Sequence, residues 1–382
     1  MSDALVGEVA AAVGLAEGEA GVRDVLGVLG RRGPLPTRAI SRATGLPVPI
    51  VAAVCGELRT RGVVARERPS RLTPLGRELF ASGPAVDVAC PACEGRGLRV
   101  PEGLGEVARA LAAAAEAAPP ARGELDQAHC TVETKLRRAL ALHEAGALAG
   151  KRILLLGDDD LTALAIDAVA RRYGFAESIR ELAVVDVDPA VLRHLGRRLG
   201  RTAFRLTCVE HDLREPLPPA LVARFDTVFT DPPYTLEGAE LFLSRAQAAL
   251  VPAAGGHVFL AFGPKPPDET LRLQSAIAFM GFAIRRLDRN FNEYLHAGIL
   301  GGTSHLYHLV AAGSTRPLVA GTHTGGLYTG ESRAPRPYRC ASCGTVQRVG
   351  RGGRWTTVDA LRTDGCPECG ATRFRPAAIA AR

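Results

Sequence analysis

Four apolar runs in the middle of the chain each stop at a cluster of acidic residues. The first ends in Gly157-Asp158-Asp159-Asp160 and the second in Asp186-Val187-Asp188. The third ends in Glu210-His211-Asp212 and the fourth in Asp231-Pro232-Pro233-Tyr234. One acid at such a point is commonly a helix cap; four in succession mark the rim of a binding cleft. Asp186, with Asp188 in reserve, is suited to accept from both hydroxyls of a ribose, and Asp212 from an adenine amino group. In Asp-Pro-Pro-Tyr the prolines fix the backbone so that its carbonyl and the Asp231 side chain can accept from an amine. Tyr234 can stack on a flat substrate or cap a cation with its ring face. Together these residues suit alkyl transfer from a sulfonium nucleotide to an amine nitrogen.

The first loop narrows the donor. A glycine-rich turn usually stands there, so that backbone N–H groups and a helix N-terminus meet a carboxylate. Here Gly157 alone precedes three aspartates. Like charges a few Å apart in a low-dielectric cleft cost on the order of several kcal/mol. The loop therefore suits partners that bear cationic amines and no carboxylate: decarboxylated S-adenosylmethionine as donor, a polyamine as acceptor. One of the three, Asp159 or Asp160, is expected to cap the following helix.

The elements that hold these residues can be read from periodicity. From residue 150, apolar strands alternate with amphipathic helices: KRILLLG, ELAVVDVD, FRLTCVEHD, FDTVFTDPPY and GGHVFLAF are strands, each followed by a helical pattern. AIRRLDRNF and SHLYHLVAA have little between them and are expected to pair antiparallel at one edge. The expected fold class is α/β, a Rossmann-like seven-stranded doubly wound sheet of the methyltransferase type, with ligands at the carboxyl ends of its strands. Residues 22–80 read as three short helices and a wing, giving a winged-helix-like domain over 1–83. Residues 84–122 read as a CPACEGRG knuckle and a linker helix, 123–315 as the catalytic domain, and 316–382 as a basic, zinc-ribbon-like tail.

Six of nine cysteines fall into three C-x-x-C pairs. Cys340/Cys343 and Cys366/Cys369 have zinc-ribbon spacing and are expected to hold structural zinc. Cys90/Cys93 offers only two ligands, and His129 or Cys130 is the candidate to complete a site there. Cys55, Cys130 and Cys208 are expected to be buried small hydrophobes. The net charge of +7 sits wholly beyond residue 310, where 11 Arg face 4 acidic residues. Such a tail attracts polyanions, RNA or DNA first. No apolar run approaches the roughly 20 residues of a membrane span, and the N-terminus lacks a signal-peptide pattern; a cytoplasmic homodimer is expected.

At this point the chain resembles the branched-chain polyamine synthases. The resemblance runs over LDQ at 125–127, VETKLRRALALHEAGALAGK at 132–151, LGDDDLT at 156–162, VDVD at 185–188, HDLREPLP at 211–218, TDPPYT at 230–235 and RNFNEY at 289–294. It implies aminopropyl transfer from decarboxylated S-adenosylmethionine to the central nitrogen of spermidine, then a second transfer to the same nitrogen. It also implies active-site roles for Asp158, Asp159, Asp160, Asp231 and Tyr234. The acceptor nitrogens are protonated near neutrality, so an aspartate must take the central proton: Asp159 is expected in that role, Asp231 as second choice. Asp160 and Glu293 of RNFNEY are expected to hold amines. The chief alternative is an S-adenosylmethionine-dependent amino methyltransferase acting on RNA or DNA. A polyamine-sensing regulator is the non-catalytic one.

Overall fold

The computed structural model describes the chain except for Met1, 81–89, 91, 92, 94, 296–301, 330–335, 350–353, 356, 357 and 377–382. Parts of the CPACEGRG knuckle and of the Arg-rich RVGRGGR stretch thus lie outside the described residues. Five helices come first: α1 (Ser2–Val13), α2 (Gly18–Arg32), α3 (Thr37–Thr44), α4 (Val48–Thr60) and α5 (Pro74–Leu79). Short antiparallel bridges, Val64 with Leu72 and Leu35 with Ser70, close the turn after α4. Val6, Val22, Leu26, Ile40, Val54 and Leu58 belong to one core, so α1, which periodicity did not reveal, is part of this unit.

The remainder is mixed α/β. Helices α6 (Gly105–Glu116) and α7 (Val132–Glu144) precede β1 (Arg152–Leu156), α8 (Thr162–Arg172), β2 (Glu181–Asp186), α9 (Pro189–Leu199), β3 (Arg205–Glu210) and β4 (Thr227–Thr230). Then come α10 (Leu236–Ala249), β5 (His257–Phe262), α11 (Pro267–Phe279), β6 (Phe282–Glu293) and β7 (Thr303–Ala311). Seven strands form one sheet in the order β3-β2-β1-β4-β5-β7-β6. The first five are parallel, and β7 pairs antiparallel with both β5 and β6.

Burial follows this order. Strands β2, β4 and β5 are buried throughout, as expected where helices cover both faces of a parallel sheet. Half of the residues on each of the edge strands β3 and β6 are exposed. Exposed Arg285, Arg286 and Arg289 on β6 discourage further strand pairing. Cys208 lies on β3 and is exposed, unlike buried Cys55 and Cys130, because an edge strand has little to cover it.

Helix α6 is not a free linker. Leu104, Leu111 and Ala114 share a core with Leu136 of α7 and Ile166 of α8. Residues 316–329 likewise fold back onto the sheet domain: Arg245 donates to the carbonyls of Val319 (2.9 Å) and Gly321 (2.8 Å). The last unit has β8 (Arg336–Cys340), β9 (Val346–Val349), α12 (Val358–Asp364) and β10 (Phe374–Pro376), with sheet order β10-β8-β9. No single described helix is long and apolar enough to cross a membrane.

Candidate active site

The carboxyl ends of β1, β2 and β4 open into a cleft of about 750 Å³. Gly157 ends β1 with φ of +75°, a left-handed conformation that glycine adopts at little cost. Its N–H donates to the Val185 carbonyl at 2.8 Å. The three aspartates that follow are sent in three directions.

Asp158 turns inward. Its carboxylate accepts from the N–H groups of Thr162 (2.6 Å) and Ala163 (2.9 Å), capping α8. The helix cap is thus the first aspartate, not Asp159 or Asp160, and Asp158 does not line the cleft. Asp160 is fully engaged. It accepts from the Cys130 N–H and, at 2.7 Å, from Arg138. Lys135 Nζ lies 4.0 Å away and donates to the Asp160 carbonyl at 2.8 Å. Asp159 faces the cleft, and no N–H or O–H of the described residues donates to its carboxylate.

Arg138 is the hub of the site, and sequence reading missed it. Threonine 131 caps α7 through the Thr134 N–H, and the helix places Arg138, 0% exposed, behind the strand ends. The guanidinium donates to Asp160, to Asp231 at 2.6 Å, to the Tyr294 hydroxyl at 3.0 Å and to Asn292 at 2.8 Å. It also lies 5.0 Å over the Phe229 ring. Tyr294 in turn donates to Asp231 at 2.6 Å. One planar fork thereby serves two carboxylates, a geometry lysine cannot copy.

This arrangement divides the acids electrostatically. Burial works to raise Asp160, but Arg138 and Lys135 overcome it and hold the carboxyl below its ordinary value. Burial pushes Asp231 up to about 6 against the pull of Arg138. Asp159 has burial and then the charges of Asp160, Asp186 and Asp231 acting together, so it rises well above the usual carboxylate range. Of these three, Asp159, the one without a cation, is therefore the most ready to hold a proton.

The other residues divide between cleft and scaffold. Asp186 lines the cleft and accepts from the N–H groups of Asp158 (2.9 Å) and Asp188 (2.8 Å). Asp188 caps α9 through Ala190 and is not in the lining. Asp212 lines the far side and accepts from the Arg214 N–H. Tyr234 packs edge-on against Phe262 and Tyr294, and its buried hydroxyl has no hydrogen-bond partner among the described residues.

Glu293 is the residue the structure turns away. It pairs with Arg42 of α3 and, at 3.2 Å, with Arg96, outside the cleft lining. Its neighbour Tyr294 points in instead, since successive strand residues face opposite ways. Leu327, Tyr328 and Thr329 cover the cleft from outside. Thr235 donates to the Leu327 carbonyl at 2.7 Å, and Asp126 accepts from both the N–H and the hydroxyl of Thr329.

Elsewhere, the sulfurs of Cys340, Cys343, Cys366 and Cys369 converge, with 3.6 Å between Cys340 and Cys369 and between Cys343 and Cys366. Four thiolates at about 2.3 Å around one tetrahedral ion would stand roughly 3.8 Å apart, so this donor set fits zinc. His129 and Cys130 do not complete a site with Cys90 and Cys93. The His129 ring faces the carbonyls of Asp159 and Pro119, and the Cys130 thiol is buried beside Lys135.

Sheet order and strand-end acids define a methyltransferase-like α/β fold with an acidic cleft at the carboxyl ends of its strands. The family model for the branched-chain polyamine synthase A C-terminal domain matches residues 106–315. The N(4)-bis(aminopropyl)spermidine synthase of Thermus thermophilus is 33% identical over 77% of this chain and 82% of its own. The uncharacterized protein MJ0675 of Methanocaldococcus jannaschii is 36% identical over 97% of this chain and 92% of its own. The crystal structure of the Thermus thermophilus branched-chain polyamine synthase, in complex with N4-aminopropylspermidine and 5′-methylthioadenosine, superposes with a TM-score of 0.70. That comparison has 28% identity and covers 87% of this chain and 98% of that one. The chain belongs to the branched-chain polyamine synthase family.

Proposed function

We propose that this enzyme moves aminopropyl groups from decarboxylated S-adenosylmethionine to the central nitrogen of spermidine. The observation that carries the chemistry is Asp159, a carboxylate without a cation beside two carboxylates that share one. In each transfer the ammonium proton of the central nitrogen passes to Asp159. The freed lone pair attacks the aminopropyl carbon, the C–N bond forms, and the C–S bond breaks. Its electron pair leaves with 5′-methylthioadenosine. The first product nitrogen is tertiary and again protonated, so once Asp159 has released its proton to solvent the second transfer repeats the proton step and yields a quaternary centre. Positioning and proton acceptance supply the rate.

Asp186 keeps free lone pairs for the ribose hydroxyls and Asp212 for the adenine amino group. Asp231 and the ring of Tyr234 face the acceptor. Asp160 holds Arg138 and Lys135 more than it holds substrate. The four tail cysteines hold a structural zinc in this reading, supported by their convergence. The N-terminal unit is read as a winged helix that walls the catalytic domain rather than reading DNA. Supporting this, its α3 is tied to β6 by Arg42 and by Asn290, which donates to the Arg42 carbonyl at 2.8 Å. On α4, Arg59 is spent on Ser70.

Incubation with spermidine and either donor, followed by mass analysis, tests the reaction. The expected result is addition of one and then two aminopropyl groups, with 5′-methylthioadenosine released. Methyl transfer from intact S-adenosylmethionine to RNA or DNA, with spermidine untouched, would overturn it.

A further inference from the structure

The tail carries the whole charge excess of the chain, and its fold sorts part of that charge onto one surface. Alternate residues of a strand point to opposite faces of a sheet. In the three-stranded sheet, Tyr338, Cys340, Val349 and Phe374 turn inward onto Trp355 and Leu361. Arg339, Val346, Arg348 and Arg375 occupy the opposite face and are exposed. Arg375 stands directly across from Arg339, and Arg348 across from Pro337. The three strands contain no acidic residue. Like charges directly opposite one another destabilise a strand pair. Among the described residues, this face makes one internal hydrogen bond, an Arg339 N–H to the Gly344 carbonyl at 2.9 Å, which leaves most of that fork outward.

We propose that this arginine face binds the phosphate backbone of single-stranded RNA. Guanidinium forks match phosphate oxygens two at a time, and a polyanion removes the repulsion that the register builds in. The face carries no aromatic side chain on which bases could stack. Nor does a helix project from it, since α12 packs Leu361 into the core behind the sheet. Reading a duplex groove uses an inserted helix or ribbon, so the flat face favours a single strand. Binding is then insensitive to sequence and sensitive to salt. Neutralising three phosphates of a single strand gives a slope of log K against log salt of about −2.

Fluorescence anisotropy with the full-length protein and a mixed-sequence RNA of about 12 nucleotides tests this. Wild type is expected to bind with that slope. The triple variant Arg339→Gln, Arg348→Gln, Arg375→Gln is expected to bind at least about tenfold more weakly with a flatter slope. Its zinc content and its aminopropyl transfer should match wild type, which separates loss of this surface from loss of the ribbon fold or of the catalytic reading. Unchanged RNA binding by the zinc-loaded variant, no RNA binding by wild type, or tighter binding of a DNA strand of the same sequence would each overturn the proposal.

Discussion

Replacing Asp159 by Asn is expected to lower kcat by about 10²- to 10⁴-fold, the span attributed to a positioned acid or base. The change keeps the shape of the loop and the Arg138 pairs with Asp160 and Asp231, so the fold should be unaffected. The pH profile gives the sharper readout. Burial and the neighbouring carboxylates Asp160, Asp186, Asp231 and Asp158 raise Asp159 well above the ordinary range. Wild-type kcat should therefore rise with pH as this acid gives up its proton and becomes able to accept one from the substrate. In the Asn variant that limb should vanish from the residual activity. A variant that turns over normally with an unchanged profile would remove Asp159 from the mechanism.

Replacing Arg138 by Met is expected to cost stability as well as rate. It leaves Asp160 and Asp231 without their shared cation, and breaking a buried pair by removing one partner costs about 3–5 kcal/mol. For a domain of this size that corresponds to a fall in Tm of roughly 10 °C at neutral pH. The sign of the pH dependence follows from Asp160, whose carboxyl is held below its ordinary value. A depressed acid contributes stability above its unfolded value, near 3.9, and loses it as pH falls through the folded value. The gap in Tm between wild type and variant should thus be widest toward neutral pH and shrink on acidification, first as Asp231 takes up a proton near pH 6 and then as Asp160 does. Arg138→Lys restores one charge but not the fork. It should recover most of the Tm while kcat stays down by about 10²-fold. Equal recovery of both would mean that Arg138 acts through charge alone.

The sheet could be read from the sequence because continuous apolar strands and acidic strand ends are local signals. The cleft edge followed from them, since open α/β sheets bind at the carboxyl ends of their strands. Arg138 was hidden because charges on an amphipathic helix read as a solvated face, whereas Lys135, Arg137 and Arg138 are all buried. Only the tertiary placement of α7 against the acids makes that burial tolerable. Glu293, read as an amine ligand, instead pairs with Arg42 and Arg96 for a different reason. Register irregularities between Ile284 and Arg286 and between Asp288 and Asn292 decide which side chain of β6 faces inward, and bulges re-aim a strand without a mark in its pattern. Which aspartate caps α8 was equally out of reach, because it depends on the positive φ of Gly157 and Leu161.

Donor selection by the acidic loop is tested most directly by calorimetry with the two nucleotides. Decarboxylated S-adenosylmethionine is expected to bind at least about a hundredfold more tightly than the intact form, the equivalent of a few kcal/mol of charge repulsion, with spermidine binding beside it. Tighter binding of intact S-adenosylmethionine, together with indifference to polyamines, would contradict a cleft shaped for amines.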